Sequence, residues 1–125
     1  MIAVIFEVSA APGRKSDYLA LAAALKTELI EMEGFISIER FESLSEPGKL
    51  LSLSFWEDET AVERWRNLAS HRDAQRQGRQ GVFSDYRLRV ASVVRDYGMQ
   101  RRSQAPEDSR NVHERSPLTI AAPSG

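Results

Sequence analysis

Cysteine is absent from the 125 residues, and histidine occurs only as His71 and His113. No disulfide framework, thiolate nucleophile, Cys-ligated zinc or iron–sulfur cluster can therefore form, and two imidazoles are too few for a His-rich site. The sequence predicts no metal centre. An excess of charge of either sign is also missing, since 17 basic against 18 acidic residues leave a formal net charge of −1. That removes the electrostatic signature of phosphate-backbone binding, so no nucleic-acid partner is expected. Arginines 64, 66, 72, 76, 79, 87 and 89 interleave with Glu57, Glu59, Glu63, Asp73 and Asp85, the pattern of a solvated face with weak ion pairs. Long apolar runs are lacking too, and MIAVIFEVSAAPGRK opens without a positive n-region. It reads as a strand, in a cytoplasmic protein with no membrane partner.

What is present, 42% hydrophobic and 28% charged side chains in 14.1 kDa, suits one soluble domain with a modest core. Residues 2 to 9 are β-branched and aromatic and end at the turn Ala10-Ala11-Pro12-Gly13, which predicts a first strand. Ser16 is a candidate helix cap, and Tyr18, Ala22, Leu25, Leu29 and Met32 then recur on one helical face, with Gly34 placed for a left-handed C-terminal cap. Phe35 to Ser43 alternates as a second strand. After the turn Ser45-Glu-Pro-Gly48, Leu51, Leu53 and Phe55 alternate with Leu50, Ser52, Ser54 and Trp56 in a third strand, hairpinned to the second. Thr60 to Glu63 fits a capping box, with Asp58 as a competing cap, and opens a helix whose face carries Ala61, Trp65 and Leu68. Ser70 to Asp73 could cap a further short, polar helix running towards Gly78. Tyr86 to Tyr97 has the bulky content of a fourth strand. From Gly98 the composition turns polar, so the domain is expected over residues 1–97 and a polar tail over 98–125, with Leu118 to Ala121 as its apolar segment, a candidate for docking on a partner subunit.

The order β-α-β-β-α-β predicts an α+β, ferredoxin-like βαββαβ fold: an antiparallel sheet with both helices on one face. The third strand is apolar on both sides, so the uncovered face needs a partner, and a second copy is the simplest one. A homodimer closed as a dimeric α+β barrel is expected.

The strand ending Leu51-Ser-Leu-Ser-Phe-Trp56, the helix Glu57-Asp-Glu-Thr-Ala-Val-Glu-Arg-Trp65 and the following His71 resemble antibiotic biosynthesis monooxygenase (ABM) domains, which form dimeric α+β barrels. The tract from Trp65 through His71, Gln75 and Gly78 to Tyr86 and Tyr97 looks most like small bacterial members of unassigned substrate, and the resemblance spans roughly residues 1 to 97. It implies an oxygen-dependent monooxygenase acting on a small aromatic or quinol-like compound, with no cofactor because the substrate supplies the electrons. The haem-degrading branch uses an asparagine on the first strand, the helix tryptophan, and a histidine ten residues later as iron ligand. Here Trp65 matches, Glu7 and Gln75 stand at the other two places, and His71 comes about one helical turn early.

By the resemblance, Trp65 lines a pocket between helices and sheet; the alternative is that it is the largest core residue of a short helix. His71, in a helix's first turn, would be kept neutral near pH 7 by the helix dipole and could act as acid/base, or it could be a capping residue. Glu7 becomes an assisting carboxylate if it faces the pocket and is a strand charge if it does not. Tyr86, Arg72 and Tyr18 complete the candidate substrate contacts. The competing functional class is a non-catalytic ligand-binding or stress-related barrel, and an enclosed pocket touching Trp65 and His71 would favour the enzyme.

Overall fold

Alternation at period two decides which side chains the sheet turns towards the helices. The computed structural model describes residues 1 to 109, with backbone alone at 69, 70, 78 and 79. Strands β1 (Ile2–Ala10), β2 (Phe35–Glu42), β3 (Lys49–Trp56) and β4 (Phe83–Ser92) form one antiparallel sheet in the order β2-β3-β1-β4. Helix α1 (Lys15–Leu29) connects β1 to β2, and α2 (Glu59–Arg66) and α3 (Ala69–Gln77) connect β3 to β4. This is the ferredoxin-like α+β fold, with its second helical connection broken into two pieces. Register pairs Arg40, Ser52, Phe6 and Leu88 in one lateral row across the sheet and Ile38, Ser54, Val4 and Val90 in the next. Both rows lie on the helix-covered side, since Val8 and Leu50 of the same phase pack with Tyr18 and Ala22, and Trp56 packs with Leu29, Ala61 and Trp65.

The opposite side carries Ile5, Glu7, Leu51, Leu53, Phe55 and Arg89, with Phe41 at its β2 edge. Helices α1 and α2 pack on the other side, and Glu7 is paired here to Arg89 at 3.2 Å.

Several boundaries differ from the sequence expectation. Helix α1 begins at Lys15 rather than after a Ser16 cap: Arg14 holds the cap position without a side-chain cap bond, its carbonyl accepts from Tyr18 N at 3.1 Å, and its guanidinium pairs with Asp17. The charge pair in the first turn thus stands where a hydroxyl was expected. Helix α1 also ends at Leu29, and the chain reaches Met32 through successive tight turns, Met32 N to the Leu29 carbonyl and Phe35 N to the Met32 carbonyl. For α2, Asp58 wins over Thr60 as cap, accepting from Ala61 N at 2.9 Å. Strand β4 runs over 83–92 instead of 86–97. It starts early because Phe83 packs on Phe6 and Tyr18, and it stops at Ser92 because that residue already faces Ile2, the first residue of β1.

The chain divides into two compact units, Met1–Ser92 and Val93–Gly125. In the second, Arg102 lies 5.2 Å over the Tyr97 ring and donates to Ser109 Oγ at 3.0 Å, while the Gln104 side chain accepts from Asp96 N. His113 and the expected docking segment Leu118 to Ala121 lie outside the described residues. Among the described residues no helix is long and apolar enough to cross a membrane.

Gly34 joins the two helical connections. It sits at φ +86°, its carbonyl accepts from Glu57 N at 2.8 Å, and a Cβ placed on it would stand 2.5 Å from the Ala61 Cβ. Ala61 is fully buried, so nothing there can yield cheaply. Gly34→Ala should destabilise the domain by about 2 kcal/mol or more through backbone strain and overpacking together, read as a lowered urea midpoint at unchanged slope.

Candidate functional site

The apolar interior falls into two clusters rather than one. Val8, Tyr18, Ala22, Leu50 and Val82 form the first, with Phe6 and Phe83 packed against it; Leu29, Trp56, Ala61 and Trp65 form the second, bordered by Val4, Leu25, Ile38 and Val62. A cavity of about 280 Å³ lies between sheet and helices and is lined by members of both clusters. It is roughly twice the ~150 Å³ of an engineered cavity that holds benzene, which suits one ring with a short side chain.

The floor is the two central rows of the sheet, and it is graded. Towards β2 and β3 it presents Arg40, Ser52 and Ser54; towards β1 and β4 it presents Val4, Phe6, Leu88 and Val90. The roof comes from Tyr18, Ala22 and Leu25 of α1, Val62 and Trp65 of α2, and His71, Ala74 and Gln75 of α3. Tyr86, Leu88 and Val90 are 51%, 51% and 48% exposed, so the cavity opens to solvent beside β4. Trp56 is buried, stands 6.5 Å from Trp65 between ring centres, and donates its indole N–H to Ser54 Oγ at 3.0 Å. The indole that closes one end of the floor is thereby fixed in place.

His71 lies against Trp65, with ring centroids 4.8 Å apart and the planes tilted by 54°. The side-chain amide of Gln75, one turn on along α3, lies 3.1 Å from Nε2, and Nδ1 is buried without a partner. Burial pushes the imidazole below its ordinary value of 6.5, and the neighbouring Arg72 cation pushes it the same way. The ring is neutral at pH 7, in an apolar wall.

Four of the residues expected from the sequence come together around the cavity: Trp65, His71, Tyr18 and Tyr86. Two do not. Glu7 follows Phe6 in an unbroken strand, so alternation turns it to the uncovered face, where it pairs with Arg89. Arg72 lies on the outer side of α3 with its guanidinium on the Asn67 side chain, outside the cavity lining. Sequence reasoning missed Arg40 and the serine pair. The signal was there in the hairpin register, which sets Arg40 opposite Ser52 in the same phase as Ile38 and Trp56.

The sequence pattern of the antibiotic biosynthesis monooxygenase family matches residues 1–77. The chain belongs to that family. Over 94 residues it is 50% identical to the jasmonate monooxygenase ABM of Pyricularia oryzae, covering 75% of this chain and 44% of that protein, so it spans less than half of that relative's length. It is 28% identical over 93 residues to the Bacillus subtilis protein YqjZ, covering 74% of this chain and 79% of the other. Among solved structures, one from Deinococcus radiodurans aligns with TM-score 0.71 at 16% identity, over 78% of this chain and 97% of that one. The Mycobacterium tuberculosis protein Rv0793 aligns with TM-score 0.70 at 20% identity, over 78% and 98%. These two establish the shared fold.

The set used by haem-degrading ABM proteins is not assembled in this chain. Glu7 faces away from the cavity, Gln75 offers an amide where an imidazole would be needed, and that amide occupies Nε2 of His71. Among the described residues no group of three or more His, Asp or Glu side chains converges.

The His71 titration carries a sign that can be checked. A histidine whose folded value lies below its unfolded 6.5 contributes stability that is present above pH 6.5 and lost as pH falls through the folded value. Urea unfolding should therefore show a loss of stability below about pH 6.5 that His71→Asn reduces, and the His71 ring protons should titrate below 6.5 by NMR.

Proposed function

We propose that this ABM chain is an oxygen-dependent monooxygenase that oxidises a small aromatic or quinol-like compound in the cavity beneath α2, with electrons drawn from the substrate rather than from a resident metal or flavin. The observation that supports this reading most is the neutral imidazole of His71 set against Trp65 in an apolar cavity of about 280 Å³. The family membership and the half-identical monooxygenase relative support the reaction type.

The chemistry needs a base, a dry wall and room for dioxygen. With the Gln75 amide oxygen turned to accept from Nε2–H, His71 keeps the lone pair of Nδ1 and takes a proton there from an activated ring methylene, and Trp65, Phe6 and Phe83 hold the ring away from bulk water. The carbanion reduces dioxygen; one oxygen atom stays on that carbon as a carbonyl and the other leaves as water with the methylene hydrogens. Methylene to carbonyl supplies all the electrons that dioxygen accepts. His71 then returns its proton to the departing oxygen, so the side chain ends as it began.

Two copies complete the protein in this reading. Ile5, Leu51, Leu53 and Phe55 give the uncovered face an apolar stripe bordered by the Glu7–Arg89 pair, and face-to-face packing of two sheets would bury on the order of 1,200 Å² or more. Leu53→Asp should convert a homodimer to monomer in light scattering behind size exclusion. Elution of the unaltered chain as a monomer at micromolar concentration would rule the dimer out.

The activity is tested by oxygen uptake against a panel of hydroquinones, single-ring phenols and jasmonate, the last because the relative bears its name, each run with and without haemin and a reductant. Uptake that matches substrate loss and needs neither addition is expected. His71→Ala should lower kcat by at least about 100-fold, and Trp65→Phe should raise KM a few-fold with the fold intact. Turnover unaltered in both variants would remove these residues from the mechanism. Tight binding of a panel member with no oxygen consumed would favour the non-catalytic binding module.

A further inference from the structure

Arg40 is a cation in the wrong place for a structural role. It stands on β2 in the inward phase and lines the cavity, yet its Nε is buried with no acceptor, and among the described residues it makes no hydrogen bond or ion pair. The acids nearest in sequence do not serve it: Glu39 takes the opposite phase, across from Leu53, and Glu42 is paired with Lys15 at 3.1 Å. A buried guanidinium N–H without an acceptor is costly, and the forked donors of the group match a planar carboxylate through two parallel hydrogen bonds. Ser52, directly opposite on β3, adds a hydroxyl beside it, while the cavity wall offers no carboxylate of its own.

Resting on the reading of this cavity as the substrate site, we propose that it takes a small ring compound bearing a carboxylate, held by Arg40 with Ser52 at the β2–β3 end, the ring lying towards Phe6, Phe83 and Leu88. The gradient of the floor from polar to apolar fixes which end of the guest goes where. Arg66 lines the cavity from the exposed end of α2 and adds a second positive charge without being buried. The acid is thus an anchor distant from the apolar end, and it selects among ring compounds of equal size.

The test uses the full chain, with phenylacetate and its neutral isostere phenylacetamide as probes, and reads binding by quenching of Trp56 and Trp65 fluorescence near neutral pH. Phenylacetate should bind about tenfold or more tighter than the amide. Arg40→Gln should weaken phenylacetate by about the same factor and leave the amide within roughly twofold, and Arg40→Lys should restore part of the preference. Equal binding of acid and amide by the unaltered chain, no binding of phenylacetate at millimolar concentration, or an acid preference that survives Arg40→Gln would each overturn the proposal. The first two need no variant, so they decide even if Arg40→Gln fails to fold. No oxygen enters these measurements. An Arg40-dependent acid preference in a chain that consumes no oxygen would uphold the anchor and remove the monooxygenase, and oxygen uptake on neutral quinols without acid preference would do the reverse.

Discussion

Small side chains in the middle of β3 are the constraint on which the rest of this architecture depends. Leu50 and Trp56 fill the ends of the strand's inward face, but the two positions between them are Ser52 and Ser54. Ala22 and Ala74 are equally short in the helices above. Leucine at those places would let the two apolar clusters merge into one close-packed core, as interiors ordinarily do. With serine and alanine the layers are held apart by Trp56, Trp65 and Tyr18 at the margins, and the volume between them persists. The binding space is thus a product of residue size along one strand, and the same serines supply its few hydroxyls.

Most of the fold was legible because its signals are local and repetitive. The alternation of β3, the turn at Pro47-Gly48 and the apolar face from Tyr18 to Leu29 each follow from neighbouring residues, and the element order then leaves few topologies. The ends of elements were less legible because they are decided at a distance. β4 begins where Phe83 meets Phe6 and Tyr18 and ends where β1 runs out of partners, and neither fact is written near residue 83 or 92. The glycine at position 34 likewise answers to Ala61, whose Cβ leaves no room for another side chain there.

The site divides along the same line. Trp65 and His71 could be picked out because they are rare residue types six positions apart, and their ring contact follows from the short link between α2 and α3. Glu7 was ambiguous until strand phase was known; one residue of shift would have turned it inward. Arg72, expected among the substrate contacts, instead acts on the imidazole through space while reaching outward to Asn67. Arg40 went unremarked because a lone arginine in an exposed-looking strand carries no motif. Only the lateral row Arg40, Ser52, Phe6 and Leu88 shows that it belongs to the interior.

The pairing of Ile2 with Ser92 also bears on how the domain is assembled. The β2–β3 hairpin and the three helices can form from contacts close in sequence, whereas β1 and β4 must meet across nearly the whole length of the unit. Loop-closure entropy weighs most on that pairing, so the β1–β4 wall, with Phe83, Tyr86, Leu88 and Val90, costs the chain more to close than the hairpin does. Until it closes, the chain exposes a half-lined trough of apolar side chains beside an unpaired strand edge, which makes the nascent domain sticky at the surface that later becomes its entrance.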